Sequence, residues 1–552
     1  MDIAVAPRDG GVAVTVLDGN GRPGPVEELS EDTWPAAAAV LEQRRPRWVW
    51  ADTAPLHPRL VEAGIVVGRA QDLRLCHAVL ARSTTLRAPL PGADDPRWAP
   101  VEPVPTAAEP SLLDLAPDGG ALDLDDVVLE HRRQQEAVAT SRRPDRLGLL
   151  LAAESAGALV AAELTAVGLP FDEATHDALL TTALGPRPLP GGRPTRLEAL
   201  AGEIRTLLAA PGLNPDSTAE LLRALHTAGL TVETTRQWEL ERLDHPVVGP
   251  LLEYKKLARL LSANGWGWMA AWVRDGRFRP EYLPGGVVTG RWAARGGGAL
   301  QLPKQVRAAV VADSGCQLVV ADAAQLEPRV LAAMSRDEAM ARASRAGDLY
   351  QALVDAGVVD TRAHAKVAML GALYGATSGE AGQLMPRLQR SYPQATGWVE
   401  EAARAGERGE VVTTWLGRSS PAPPQAWQEG QRRASLPEAT ATDQRRARSL
   451  ARDWGRFTRN FVVQGTAAEW ALCWLADLRR RLADLGEVAG RRPTLVYFLH
   501  DEVIVETPTE LADAVADAVR AAARRAGTLL FGTFPVEFVL DVACVDRYSD
   551  AG

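Results

Sequence analysis

The chain has only four cysteines, Cys76, Cys316, Cys473 and Cys544, each isolated from the others. That spacing offers neither a Cys-x-x-Cys metal pattern nor a disulfide framework, so zinc and redox chemistry are not expected. No charged-then-apolar start of the secretory kind is present and no apolar run of about 18 residues is evident, so the reading is a cytoplasmic protein without a membrane span. Lysine is nearly missing: of 61 Lys and Arg residues only Lys255, Lys256, Lys304 and Lys366 are lysines. Because an ammonium and a guanidinium are not equivalent at a phosphate, each lysine is worth following. A positive overall balance is lacking too; at a net charge of −9, any nucleic-acid role must rest on local basic surface. No internal repeat is apparent.

With 552 residues the chain is long enough for about three to four domains. Residues 1 to about 85 read as a small α/β unit, with strands at Ile3–Val5, Val12–Val16 and Trp48–Trp50 and helices at His57–Ala63 and Asp72–Ala81. Dense prolines from Ala88 to about Pro117 mark a linker, and Leu147 to about Ala263 is largely helical. Within it, LLEYKKLARLL at Leu251–Leu261 is an amphipathic helix that suits either a surface or a nucleic acid. Gly285–Pro303 is glycine-rich and contains Thr289-Gly290-Arg291 and Leu300-Gln301-Leu302-Pro303.

The stretch CQLVVADAAQLEPRV, Cys316–Val330, is the most informative. An apolar strand ends on Asp322, and a helix-like segment carrying Glu327, Pro328 and Arg329 follows. A carboxylate buried unpaired at a strand tip costs on the order of several kcal/mol, and a metal ion is one remedy. A second acid-bearing tip stands at His500-Asp501-Glu502, flanked by Leu495–Leu499 and Val503–Val505, the pattern of a β-hairpin. Between the tips, TRAHAKVAMLGALYG places Arg362, Lys366, Leu370 and Tyr374 four residues apart, along one slowly drifting helix face. Two cations followed by an aromatic suit a triphosphate and its base. A second such stripe is Arg456, Asn460 and Gln464, whose guanidinium and amides suit base and sugar edges. Either stripe alone would equally suit a solvated helix face. From 404 to 459 stand eleven arginines against six acids, a charge excess that fits phosphate-backbone binding or a solvated surface. Ser419–Pro424 reads as a flexible insertion.

In this order, the motifs resemble the family A DNA polymerases, over about 250 to 552 and more weakly upstream. DAAQLEPR is similar to the first palm motif, RAHAKVAMLGALYG to the nucleotide-binding fingers helix and LHDEV to the second palm motif; TGRW, LQLP and QGTAAE match further segments. The resemblance implies an α/β right hand of palm, fingers and thumb behind an N-terminal domain. The expected divisions are 1–117 degenerate 3′–5′ exonuclease-like, 118–146 connection, 147–275 helical connection and thumb, 276–334 palm, 335–450 fingers and 451–552 palm. It implies that Asp322 and Asp501 hold two Mg²⁺ ions, with Mn²⁺ as a substitute. Arg362 and Lys366 would grip the triphosphate, Lys366 also acting as an acid; Leu370 and Tyr374 would lie by the nucleotide and templating base, and Glu327 would reject a ribose. Arg291, Gln301, Arg456, Asn460, Gln464 and His500 would contact DNA. The implied partners are primer-template DNA and dNTPs, and the expected state is a monomer with no membrane contact.

Two positions depart from the pattern: Ala323 and Leu370 stand where the family usually carries aromatics, which reduces stacking on the nucleotide. Pro328 is tolerable only in a helix's first turn. Upstream, Asp52 lacks an Asp-x-Glu companion, and LAAESAG at 151–157 has Leu151 and Ser155 where Tyr and Asp would stand, so the exonuclease is read as decayed. No 5′-nuclease domain is expected before it. The leading expectation is a DNA polymerase of repair or replication type; the alternatives are an inactive or weak DNA-binding protein on the same scaffold, and a related RNA polymerase, against which Glu327 argues.

Overall fold

A computed structural model describes residues 1–99, 122–189, 191–295, 302–345, 347–375 and 379–551. By packing, the chain divides into a unit of residues 1–166, 282–293 and 319–544 and a second unit of residues 167–281, 294–318 and 545–552.

The first unit opens with a five-stranded sheet. Strands β1 (Asp2–Arg8) and β2 (Gly11–Leu17) form a hairpin, β3 (Pro23–Ser30) adds an edge, and β4 (Arg47–Trp50) and β5 (Ala70–Asp72) extend the other side, in the order β3-β2-β1-β4-β5. Alternation on β1 fills two cores: Ile3 and Val5 pack with Trp34, Trp48 and Trp50, while Ala4 and Ala6 pack with Val49, Trp98 and Val127. β3 reads PGPVEELS and is exposed along nearly all its length, so it lacks the apolar alternation that announces a strand. Helices α1 (Trp34–Glu42), α2 (His57–Glu62), α3 (Leu73–Leu80), α4 (Leu124–Thr140) and α5 (Pro144–Val167) belong with this sheet.

α5 corrects one expectation. It is a 24-residue helix with a mean hydropathy of 1.6 over its most apolar window, long and apolar enough to cross a membrane, yet 67% of that window is buried inside the protein. It is a core helix: Gly157 is so close to Leu472 that a Cβ would stand 2.6 Å from its Cδ2. Arg479 clamps Glu163 of α5 through Nε at 2.7 Å, which holds that carboxyl well below its usual range despite its burial.

In the second unit, Phe171, His176, Trp268 and Phe278 form an aromatic core. The helix expected around Leu251–Leu261 spans Val248–Asn264. Its Lys255 is half-buried, with Nζ donating to Thr235 Oγ1 at 2.7 Å, whereas Lys256 is exposed.

The remainder of the first unit is built on a four-stranded sheet: β6 (Cys316–Ala323), β7 (Thr494–Leu499), β8 (Glu502–Pro508) and β9 (Leu540–Val545), in the order β7-β8-β6-β9. Around it lie α6 (Leu326–Ser335), α7 (Leu349–Asp355), α8 (Arg362–Tyr374), α9 (Pro393–Glu407), α10 (Gln425–Ala434), the 44-residue α11 (Ala441–Asp484) and α12 (Ala512–Phe531). Ser419–Pro424 is not the flexible insertion expected. Ser419 and Ser420 are buried, and the Ser419 hydroxyl accepts from the Thr84 N–H at 3.0 Å, so hydrogen bonds hold a polar stretch that composition alone marks as loose.

Candidate active site

The two acid-bearing tips meet because β6 and β8 are neighbours in one sheet. The Ala323 N–H, one residue past Asp322, donates to the Asp501 carbonyl at 2.7 Å. At the β7/β8 turn Leu499 pairs with Glu502, leaving His500 and Asp501 as a two-residue loop. His500 takes φ 54°, and Gln325, at the matching turn after β6, takes φ 56°. Positive φ in non-glycine residues costs on the order of 1–3 kcal/mol and persists only where surroundings enforce it. For Gln325 the enforcement is visible: its amide donates to Asp348 Oδ1 at 2.7 Å and accepts from the Leu349 N–H at 2.8 Å. Pro328 falls in the first turn of α6, where its missing N–H costs nothing.

Asp501 and His500 line a cavity of about 280 Å³ together with Arg291, Glu327, Tyr350, Leu370 and Phe498. Burial pushes the Asp501 carboxyl up to about 6; Arg291 opposes this, while Glu502 and Glu327 add to it. Arg291 is bound to Glu327 at 2.5 Å. Burial, and then Arg291, hold the His500 imidazole below its ordinary value. The Thr289–Trp292 loop is fixed from below. Thr289 donates to Gln464 Oε1 at 3.0 Å, and Trp292 meets Phe498 edge-on at 4.9 Å. Gly290 has φ +89°, which favours glycine, and a Cβ there would stand 2.6 Å from Arg418 Nε, so any larger residue would also have to displace that side chain. Arg418 is in turn ion-paired with the buried Glu154 of α5.

α8 begins at Thr361, whose hydroxyl accepts the His364 N–H, and stops at Gly375 in the left-handed region. Its stripe runs from exposed Arg362 and Lys366 to Leu370 in the cavity wall. Arg362 Nε donates to Asp348 Oδ2 at 2.6 Å, and its guanidinium lies 5.7 Å from the Tyr350 ring. Asp348 therefore ties the helix to Gln325 and the acid-bearing turn. Tyr374 is the last residue of α8, and its side chain lies outside the described residues, as does the whole of Gln301. On α11, Ala467, Ala468, Ala471 and Leu472 line the cavity, Gln464 reaches Thr289, Asn460 is half-buried, and Arg456 is exposed and paired with Asp453.

The sequence model for "DNA polymerase family A" matches residues 194–549, well over half of the chain. The chain belongs to that family. It is 26% identical over 386 residues to "DNA polymerase I, thermostable" of Thermus aquaticus, covering 64% of this chain and 41% of the relative. It is 27% identical over 339 residues to "DNA polymerase I" of Chloroflexus aurantiacus, covering 56% of this chain and 33% of the relative. The chain thus spans less than half the length of these relatives. A solved "POL domain of Pol1 from M. smegmatis complex with DNA primer-template and dNTP" superposes with a TM-score of 0.70 at 17% identity, over 100% of this chain and 95% of that one, so the fold is shared.

Several residues of this family A site escape sequence reading. Gln325, Asp348, Tyr350 and Arg418 hold the turn, the α8 helix and the glycine loop, yet none stands in a spaced pattern. Only Asp348 leaves a signal, as a helix N-cap ahead of Tyr350 and Gln351. Among the described residues no three His, Cys, Asp or Glu side chains converge as a metal cluster. The strand tips offer two carboxylates, Asp322 and Asp501. That donor set suits a hard cation completed by substrate phosphates, and the desolvated Asp501 is the kind of group a cation would relieve.

Proposed function

We propose that the chain is a template-directed DNA polymerase that adds dNTPs to a primer 3′ end, in DNA repair or replication. The observation that carries this is the hydrogen bond that joins the Asp322 and Asp501 tips through Ala323, with Asp501 and Leu370 of α8 lining one cavity and Lys366 and Arg362 one and two turns out from Leu370. Chemistry in this family is metal-dependent. Asp322 and Asp501 would hold two Mg²⁺ ions, or Mn²⁺ in their place, whose charge favours an ionised 3′-hydroxyl and offsets that of the transferring phosphoryl group.

The chain's own residues would do the rest. Arg362 exchanges Asp348 for the triphosphate, and Lys366 supplies a compact charge and a proton to the leaving pyrophosphate. Leu370 borders the base, Tyr374 the templating position, and Glu327, held by Arg291, crowds a ribose 2′-hydroxyl. Arg291, Gln301, Arg456, Asn460, Gln464 and His500 follow the duplex, whose minor-groove acceptors vary little with sequence. The N-terminal sheet has a structural role and no 3′–5′ exonuclease activity. Both faces of β1 are apolar, and Ser155 donates to Leu151 O and accepts from the Asp72 N–H.

A second reading, a weak or inactive DNA-binding protein on this scaffold, is favoured by Ala323 and Leu370. Primer extension with dNTPs and then NTPs, in Mg²⁺ and in Mn²⁺, separates the two. Template-matched dNTP addition is expected; binding without extension would sink the leading reading.

A further inference from the structure

The loop that carries Arg291 has little stiffness of its own. Residues 284–292 include three glycines, and two of them, Gly285 at φ +63° and Gly290 at φ +89°, lie in the left-handed region. The Gly290 N–H donates to the Val287 carbonyl at 2.8 Å and the Val287 N–H to the Arg291 carbonyl at 3.0 Å, a tight turn whose outer residues Val287 and Val288 are exposed. Glycine has the most backbone freedom to lose, so a loop of this composition keeps one shape only where its neighbours hold it.

The neighbour that does so is α5, the core helix packed against the N-terminal sheet, and it meets the loop at three places. Glu154 Oε1 is ion-paired with Arg418, whose guanidinium packs against Gly290. Glu154 Oε2 lies 3.7 Å from the position a Cβ on Gly285 would take, and a Cβ on Gly157, one turn further along α5, would stand 3.4 Å from the Trp292 ring. Arg418 is tied on its other side to α11. Its N–H donates to Thr414 Oγ1 at 2.9 Å, and the Trp415 and Leu416 N–H groups donate to Thr466 Oγ1 and Glu469 Oε2, each at 3.0 Å. Glu154 is buried, so removing its charge leaves a guanidinium desolvated without its carboxylate. At the far end of the loop Arg291 is bound to Glu327 at 2.5 Å. A continuous chain of contacts therefore runs from Glu154 through Arg418, Gly290 and Arg291 to Glu327.

We infer that Glu154 is a positioning residue for sugar selection: through Arg418 it holds the glycine loop so that Arg291 keeps Glu327 in the path of a ribose 2′-hydroxyl. Rejection by a clash needs a wall that does not yield. With Arg291 displaced, Glu327 loses that anchor and gains rotamer freedom. The helix beside the N-terminal sheet thus takes part in choosing the nucleotide without touching it. The role in sugar selection rests on the polymerase reading; the hold on the loop rests on these contacts alone.

The test compares the full-length wild type with Glu154→Gln, which keeps the shape and removes the charge, and with Arg418→Lys, which keeps the charge and removes the planar fork. If Glu154→Gln does not fold, Arg418→Lys carries the same measurements. Hydrogen exchange of the DNA-free protein, read by mass spectrometry, should quicken in the peptide covering residues 284–293 and stay as in the wild type in the β1/β2 hairpin. Single-nucleotide addition is then scored with a template-matched dNTP and NTP. The dNTP preference in kcat/KM should fall about tenfold in Glu154→Gln. In a Glu327→Ala background the same change should lower it no further, a non-additivity that a merely structural role would not produce. Unchanged exchange in the loop overturns the proposal. So does faster exchange with an unchanged sugar preference, or a full further loss in the Glu327→Ala background. A wild type that adds neither nucleotide, with the loop exchanging faster in the variants, sinks the polymerase reading and leaves the hold on the loop standing.

Discussion

The chain contains two sheets whose strands run out onto carboxylates, and the two treat those acids differently. In the N-terminal sheet, β5 ends on Asp72, whose oxygens are consumed by the fold: they accept from the Thr53 N–H and hydroxyl at 2.9 and 2.8 Å and from the Leu75 N–H at 3.0 Å. Burial, then neighbouring Asp52, push this carboxyl up to about 7. Asp52 itself accepts from the Ala54 N–H and lies 3.8 Å from Arg74. In the second sheet, Asp501 gives the fold its backbone carbonyl, while its side chain borders the cavity near Arg291. A strand-tip acid is available for chemistry when the backbone serves the fold in its place.

The strongest way to break this contrast is a pair of alanine substitutions. Asp501→Ala should lower single-nucleotide extension on the order of 10³-fold or more while leaving thermal stability equal or higher, because it removes a desolvated charge. Asp72→Ala should do the reverse, costing about 1–3 kcal/mol in urea unfolding with little change in kcat. A destabilised Asp501 variant with normal turnover would erase the distinction.

Glu469 sharpens the comparison as an intermediate case. It is buried on α11, accepts from the Leu416 N–H at 3.0 Å, and burial pushes it up to about 7. With its folded pKa above the ordinary 4.5, its contribution to stability is full below about 4.5 and is lost as pH rises toward 7. Scanning calorimetry from pH 4.5 to 8 should therefore show a decline in the wild type that Glu469→Gln lessens, by on the order of 1–3 kcal/mol. Parallel curves would mean that folding does not raise this carboxyl.

The smallest effect concerns the cavity wall. Leu370→Phe should lower the nucleotide KM by a factor corresponding to about 0.5–1.5 kcal/mol, since it restores a π-face beside the base. Lys366→Ala should depress kcat instead. Steady-state kinetics showing neither change would mean that α8 does not present this face to a nucleotide.

The sequence by itself determined what depends on near neighbours. The apolar runs of β6, β7 and β8, the helix carrying Arg362, Lys366 and Leu370, and the place of Pro328 in a first turn all follow from side-chain periodicity and backbone chemistry over a few residues. Only the tertiary structure decided which groups spend their charge on one another. Arg291 and Glu327 are 36 residues apart, and Arg418 and Glu154 are 264 apart. It also decided that α5, apolar enough for a bilayer, is a buried core helix. The reason is physical: periodicity records which side of an element avoids water, whereas the partner that an ion or a glycine meets there is set by packing between elements distant in the chain.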